Sequence, residues 1–106
     1  MTFKEFQKEA HNYDCITTFW EDFSKADRFG VEAVIDTFNR AFNEWKSNYK
    51  YLTELAIVMN HKCWIHFNKK NITLSNLYSD RYYKVRSYAI ENLKGKELKY
   101  YLDTTD

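Results

Sequence analysis

Residues 26–46, ADRFGVEAVIDTFNRAFNEWK, decide the fold class of this chain. Apolar side chains recur there at steps of three and four residues, the spacing that places side chains on one face of an α-helix. The members of this apolar stripe are Val31, Val34, Ile35, Phe38, Phe42 and Trp45. The polar residues Glu32, Asp36, Arg40 and Asn43 fall on the opposite face. We therefore predict an amphipathic helix over roughly residues 26–46.

The sequence before this helix predicts two shorter helical segments. One begins at Thr2, in a capping-box pattern. The other starts after Asp14, a good N-cap. Its apolar residues at helical spacing are Ile16, Phe19, Trp20 and Phe23. The stretch FSKADRFG at residues 23–30 is expected to end this segment, and Ser24 and Asp27 are expected to cap the helix that follows.

The sequence after residue 46 predicts two long helices and a short one. Residues 49–67 are apolar nearly all round, which is typical of a helix in the middle of a bundle. The only polar strip of this segment consists of Lys50, Glu54, His61 and Asn68. Thr73 is expected to cap the next helix, which runs to about Lys94 and ends at Gly95 in a left-handed conformation. A final piece, KELKYYL, is expected to dock Leu98, Tyr101 and Leu102 on the core.

Composition supports an all-α protein. The chain has 106 residues, enough for a single domain over residues 1–106 with a core of its own. Aromatic residues make up 19% of it, whereas glycine occurs twice and proline not at all. Because β-sandwiches and barrels use turn-forming residues freely, we predict a small helical bundle with three long helices and shorter flanking helices.

The cysteines and the apolar runs predict a cytoplasmic protein. Two cysteines allow at most one disulfide, and the first twenty residues show no basic region followed by an apolar run. The longest unbroken apolar stretch, residues 55–59, is far shorter than the roughly 20 residues that cross a membrane. We expect reduced thiols and no membrane partner.

The segment HKCWIH at residues 61–66 raises the question of a metal site. Helix geometry places His61 about 160° from Cys63, so His61 and Cys63 cannot share one ion. Cys63 and His66, three residues apart, can face one way, and they would complete a tetrahedral zinc set with His11 and Cys15. The alternative is that Cys63 belongs to the core, His66 packs or caps nearby, and His61 is solvated. We favour this alternative and expect no metal or other cofactor.

No pattern for catalysis stands out in the sequence. Both glycines are isolated, so no glycine-rich loop is available to hold a phosphate. Cys63 falls among aliphatic residues rather than in the electropositive niche that a reactive thiolate needs. We therefore expect a protein that is not an enzyme and has no small-molecule substrate.

The helix after Thr73 carries the most informative surface. Opposite its core stripe lie Tyr83, Ile90 and Lys94, with Lys84 and Arg86 beside them. Tyrosine and arginine are favoured at protein interfaces, and they also suit nucleic acid, where rings stack on bases and guanidinium groups meet phosphates. The sequence alone leaves a second possibility, in which Tyr83 and Ile90 pack under the C-terminal piece.

Charge is unevenly distributed along the chain. Residues 1–44 carry a formal charge of −4 and residues 45–106 one of +5. The second half offers a basic face if its cations converge, and nucleic acid would then be the natural partner. The candidates are Lys62, Lys69, Lys70, Arg81, Lys84, Arg86, Lys94, Lys96 and Lys99. Scattered solubilising cations are the alternative, and for Arg81 we favour either an ion pair with an acidic residue of a neighbouring helix or a side chain that snorkels outward.

Three stretches resemble a known group of proteins. They are FSKADRFG at 23–30, DTFNRAFNEWKSNYKYLTEL at 36–55 and ENLKGKELKYYLDTTD at 91–106. Together they are similar to a family of short proteins carried on conjugative elements, plasmids and phages of Gram-positive bacteria. The resemblance implies a counter-defence role, in particular an anti-CRISPR protein that inhibits Cas9.

A Cas9 inhibitor of this size is expected to act by occlusion. It would occupy the positively charged channels that hold guide RNA or target DNA by presenting carboxylates. The candidate carboxylates are Glu21, Asp22, Glu32 and Asp36. Alternatively, the basic side would grip the guide RNA itself. The expected partner is Cas9 or its guide-RNA complex in the host cytoplasm, and the alternative function is that of a small nucleic-acid-binding or regulatory protein of a mobile element.

Overall fold

The computed structural model describes residues 14–68 and 71–105, apart from the side chains of residues 14–17, 67 and 68. These residues form five helices and no strand, so the predicted all-α bundle is confirmed. The helices are α1 (Asp14–Phe29), α2 (Val31–Trp45), α3 (Tyr49–Asn68), α4 (Ile72–Asn92) and α5 (Lys96–Thr105). The helix predicted at Thr2 lies outside the described residues. Within them, no helix carries an apolar run long enough to cross a bilayer.

A single glycine separates α1 from α2. Gly30 has φ 101° and ψ −165°, a conformation that is essentially restricted to glycine. Hydrogen bonds reach this residue from both sides, since its amide donates to Ala26 and its carbonyl accepts from Val34, each at 3.2 Å. The prediction that a new helix begins near residue 26 was therefore wrong. Ser24 and Asp27 lie inside α1 and do not cap α2.

The core is built around α3, as predicted from its nearly continuous apolar character. α3 packs against each of the other four helices, most extensively against α4. Leu52, Leu55, Ala56 and Met59 are fully buried. Because α3 is enclosed, its expected polar strip does not all reach solvent, and Glu54 is only 5% exposed.

Large aromatic side chains fill the space between the helices. Phe23, Phe38, Tyr78 and Tyr101 are the largest rings with no exposed surface. The apolar stripe predicted for α2 is buried at Val34, Phe38 and Phe42, whereas Val31 at its first turn is 37% exposed. Val31 therefore lies at the exposed end of the stripe, where it directly follows Gly30.

The ends of α4 differ from the prediction. Asn71, not Thr73, caps the helix, since the Asn71 side chain accepts from the Leu74 amide at 3.3 Å. The helix ends at Asn92, and the extended Leu93 follows it. Gly95 is left-handed as predicted, with φ 60°, but its carbonyl accepts from Lys99 at 3.1 Å and so starts α5.

The predicted docking of the C-terminal piece is confirmed. Tyr101 is fully buried, and Leu98 and Leu102 pack against the core. The Tyr82 hydroxyl donates to the Thr105 carbonyl at 3.4 Å. These contacts fix α5 against α3 and α4.

Candidate functional site

A buried polar cluster joins α1, α3 and α4. Its members are Ser24, Asp27, Lys62, His66 and Tyr78. The ammonium of Lys62 lies 3.1 Å from Oδ2 of Asp27 and 2.8 Å from Oγ of Ser24. It also lies 4.1 Å from the centre of the Trp20 ring, within the range of a cation–π contact. The Lys62 side chain is only 5% exposed and that of Asp27 is 18% exposed.

The second oxygen of Asp27 is held from α4. The Tyr78 hydroxyl donates to Oδ1 of Asp27. Burial, followed by this hydrogen bond and the carboxylate charge, raises the pKa of Tyr78 well above its usual range. The His66 ring stacks on the Tyr78 ring, with centroids 5.2 Å apart. Nε2 of His66 lies 3.2 Å from Oδ2 of Asp27 but is not hydrogen-bonded to it.

The buried polar cluster corrects two predictions for residues 61–66. Lys62 does not belong to a basic surface, because Asp27, Ser24 and the Trp20 ring replace the water that an exposed ammonium would bind. His61 is half-buried rather than solvated, and burial lowers its pKa to about 4. His66 packs within the bundle, as favoured in the sequence analysis, and is 8% exposed.

The possible zinc set is only half described. Cys63 is half-buried, so it lies at the margin of the core and not at its centre. Its sulfur lies 3.6 Å from Oγ of Ser75. His11 and the Cys15 side chain lie outside the described part of the chain. Among the described side chains, no group of three histidine, cysteine or acidic residues is placed to hold a metal ion.

A second cluster brings three cations together between α2 and α4. The ammonium of Lys84 lies 5.6 Å from the centre of the Phe42 ring and 5.9 Å from that of Phe38. The ammonium of Lys46 lies 5.8 Å from the Phe42 ring centre, and the guanidinium of Arg81 lies 5.5 Å from that of Phe38. The two rings stack with centroids 5.5 Å apart. We call Lys46, Arg81 and Lys84 the cation cluster.

The cation cluster has no paired carboxylate among the described residues. Asp36 instead pairs with Arg40, and Asp27 pairs with Lys62 and His66. Arg81 forms no ion pair with the described residues, and its Nε is buried without a hydrogen bond, so of the two options predicted for Arg81 the ion pair was wrong. A cation–π contact is worth about 0.5–2 kcal/mol and leaves the charge in place. The cluster is therefore a local excess of positive charge, the arrangement that attracts an anion.

The surface predicted on α4 divides into two parts. Tyr83 is 60% exposed and Ile90 is 51% exposed, so neither is covered by α5. Lys84 and Arg86 lie on opposite flanks, about 160° apart by helix geometry. Lys84 therefore joins the cation cluster, and Arg86 does not. Lys94 is exposed beyond the end of the helix.

The wider basic face is only partly assembled. Lys96 and Lys99 are exposed on α5, whereas Lys69 and Lys70 lie outside the described residues. The sequence analysis missed Lys46 as a member of the cation cluster. It follows the last residue of α2, and its position beside Lys84 depends on how α2 and α4 pack. Sequence spacing carries no signal for such a contact.

The four predicted carboxylates are all exposed on α1 and α2. Asp22 and Asp36 line one groove between these helices, and Glu21 and Glu32 do not. The groove has a volume of about 530 Å³. Lys25, Arg40 and Glu44 also line it, so its charges largely balance. Asp36 is in addition paired with Arg40 at 3.5 Å.

No protein family, curated protein or solved structure matched the chain in the three comparisons made.

Proposed function

We propose that the protein is a non-enzymatic binding protein that holds a nucleic-acid strand by its phosphates at the cation cluster. The observation that supports this proposal is the convergence of Lys46, Arg81 and Lys84 over one pair of rings, with no paired carboxylate among the described residues. The setting is the one implied by the resemblance. There the strand is the guide RNA or target DNA of Cas9, and the protein acts as an inhibitor in the cytoplasm of the host bacterium.

The spacing of the cations suits adjacent phosphates. Two ammonium groups, each within 6 Å of the Phe42 ring centre, are separated by no more than about twice that distance. A nucleic-acid strand carries a negative charge every 3.4 Å or so along a helical axis. One strand can therefore present two or three phosphates to Lys46, Arg81 and Lys84 together.

The rings beneath the cations favour contact with the backbone over contact with bases. Phe38 is fully buried and Phe42 is 8% exposed, so neither ring is available for base stacking. Without stacking or base-edge contacts, binding depends on charge and is largely independent of sequence. A protein that binds in this way can compete for guide RNA or DNA whatever the guide sequence.

A titration against labelled oligonucleotides tests this proposal. The probes are mixed-sequence single-stranded RNA and DNA about 20 nucleotides long, followed by fluorescence anisotropy. Three neutralised phosphates give a slope of about −2 in a plot of log affinity against log salt concentration. Raising KCl from about 50 to 200 mM should therefore weaken binding roughly 20-fold.

Matched variants locate the contact. Lys46→Gln and Lys84→Gln should each reduce the magnitude of the salt slope by about 0.7. Lys50→Gln and Lys99→Gln remove the same charge at exposed positions on α3 and α5, and they should leave the slope unchanged. An equal effect in both pairs, or no binding by the wild-type protein at low salt, refutes the cation cluster as the site.

A second candidate function is occlusion of a basic channel of Cas9 by the acidic side of the protein. The exposure of Glu21, Asp22, Glu32 and Asp36 favours it. The two candidates separate in a Cas9 cleavage assay. Loss of inhibition in the Lys46 and Lys84 variants supports gripping of the guide or target strand, whereas loss in a variant with all four carboxylates converted to amides supports occlusion. RNA binding without any effect on Cas9 points to a nucleic-acid-binding or regulatory protein of a mobile element.

A further inference from the structure

An exposed tyrosine ring lies at the edge of the cation cluster and is held in place by a second tyrosine. Tyr83 is 60% exposed, and its ring meets that of Tyr82 edge to face, with centroids 5.4 Å apart. Tyr82 is half-buried, and its hydroxyl donates to the Thr105 carbonyl on α5 at 3.4 Å. The Tyr83 ring is therefore fixed from one side while much of its surface faces solvent.

Helix geometry places Tyr83 next to the outermost cation of the cluster. Around α4, Lys84 lies about 60° from Arg81, and Tyr83 lies about 100° further in the same direction. Lys84 and Tyr83 are consecutive residues, so their Cα atoms are about 3.8 Å apart. A strand whose phosphate lies at Lys84 therefore passes the Tyr83 ring within about two nucleotides.

The charges beside the ring decide which part of a nucleotide meets it. Lys84 is exposed and attracts a phosphate. Asp80 is also exposed, and it falls between Lys84 and Tyr83 around the helix, one turn earlier in the chain. Its carboxylate repels a phosphate from that position. The uncharged ring of Tyr83 is thus suited to the base and not to the backbone.

A base can stack on Tyr83 only if the strand is not part of a duplex. In a duplex each base is paired and stacked between its neighbours, and extruding it costs free energy. Proteins that hold single strands combine a positive surface along the backbone with aromatic side chains on which the bases stack. The cation cluster and Tyr83 provide these two elements side by side.

We propose that the strand held at the cation cluster is single-stranded and stacks one base on Tyr83, a contact that rests on the function proposed above. Phe38 and Phe42 lie beneath the cations and are closed to bases, whereas Tyr83 lies beside the cations and is open to them. Every base has a π-face, so the added contact leaves binding largely independent of sequence.

Fluorescence anisotropy with a labelled single-stranded RNA of about 20 nucleotides tests the stacking contact. Tyr83→Ala should weaken binding roughly 5- to 100-fold and leave the salt slope unchanged, because it removes a ring and no charge. Tyr83→Phe keeps the ring and should bind within about twofold of the wild type. Phe29→Ala is the matched control, because Phe29 is an 82% exposed ring in the groove between α1 and α2, and it should leave the affinity unchanged.

Two altered probes separate a base contact from a phosphate contact. An abasic strand of the same length keeps every phosphate but presents no base, so the wild type and Tyr83→Ala should bind it equally. A fully paired duplex should likewise show no difference between these two proteins, since its bases are not available for stacking. Far-UV circular dichroism establishes that each variant folds.

The outcomes distinguish the stacking contact from the phosphate contacts. If Tyr83→Ala weakens binding of the single strand no more than Phe29→Ala does, while Lys46→Gln still reduces the salt slope, the stacking contact is refuted and the cation cluster stands. Equal weakening of the abasic and the base-bearing strand by Tyr83→Ala also refutes it. If the wild-type protein binds no strand at low salt, the proposed function fails and the stacking contact fails with it.

Discussion

Removing the charge of Asp27 should destabilise the protein more than removing the charge of its partner Lys62. In the Asp27→Asn variant, the Lys62 side chain stays in a site where it is 5% exposed, and its ammonium loses the charge of the Asp27 carboxylate. In Lys62→Met, by contrast, Asp27 keeps its hydrogen bond from Tyr78 and its contact with His66. The Asp27 side chain is also 18% exposed, so water hydrates part of its charge.

These differences set the expected magnitudes. Breaking a buried ion pair from one side costs about 3–5 kcal/mol, and we expect about 3 kcal/mol for Asp27→Asn because its amide oxygen still accepts a hydrogen bond. We expect about 1–2 kcal/mol for Lys62→Met, whose side chain preserves much of the packing against Trp20. The double variant replaces both charges and should cost only about 1 kcal/mol. The coupling energy of the double-mutant cycle is then about 3 kcal/mol.

Urea unfolding followed by far-UV circular dichroism at neutral pH measures these free energies. Asp36→Asn is the matched control, since Asp36 and its partner Arg40 are 72% and 73% exposed, and it should change stability by at most about 0.5 kcal/mol. The explanation fails if Asp27→Asn destabilises no more than Asp36→Asn. It also fails if the effects of Asp27→Asn and Lys62→Met simply add.

Three further predictions concern helix ends and pH. Gly30→Ala should cost about 1–3 kcal/mol from backbone strain alone, because φ is 101° and nothing lies within 4 Å of the added methyl group; an unchanged urea midpoint would contradict this. Asn71→Ala should lower the free energy of unfolding by about 0.5–2 kcal/mol because the helix cap is lost, whereas Thr73→Ala should change it by at most about 0.5 kcal/mol. Thermal melting resolves this difference, and a larger effect of Thr73→Ala would refute the prediction. The folded-state pKa of His61 is about 4, below its ordinary 6.5, so the unfolded chain takes up the proton first. The neutral, half-buried ring of His61 therefore contributes stability that is complete above about pH 6.5 and is lost as the pH falls towards 4. The loss in the free energy of unfolding is on the order of 1 kcal/mol for a ring that is only half-buried. His61→Gln should therefore lose less stability than the wild type between about pH 7 and pH 5 in urea titrations, and identical losses would count against it.

Much of the bundle was predictable because apolar periodicity is a local signal. The spacing of Val34, Phe38 and Phe42 identified one buried face, and the apolar character of residues 49–67 on nearly all sides of the helix identified the central helix. The boundary between α1 and α2 was misplaced, since the stretch before Gly30 contains good capping residues. Ser24 and Asp27 make long-range contacts instead, and a cap cannot be told from such a partner by local sequence.

The buried polar cluster and the cation cluster could not be predicted from the sequence for a related reason. A lysine is normally solvated, and Asp27, which pairs with Lys62 in the interior, lies 35 residues earlier in the chain. Lys62 and His66 are four residues apart on α3, so a shared partner was conceivable, but nothing in the sequence indicates Asp27 as that partner. The cation cluster likewise combines the end of α2 with the middle of α4. Helix geometry placed Tyr83 and Ile90 opposite the core stripe of α4, but the sequence left open whether the C-terminal piece covers them, and the structure shows both side chains exposed.

The carboxylate of Asp27 restricts how α1 can be rotated about its own axis. Side chains such as Phe19 and Phe23 are similar enough in bulk that apolar contact alone discriminates poorly between neighbouring rotations. A shift by one residue turns the helix by about 100° and would take the Asp27 carboxylate away from the Lys62 ammonium and the Tyr78 hydroxyl in the interior. The protein thus has one orientation of its first described helix, selected by the penalty that every other orientation incurs.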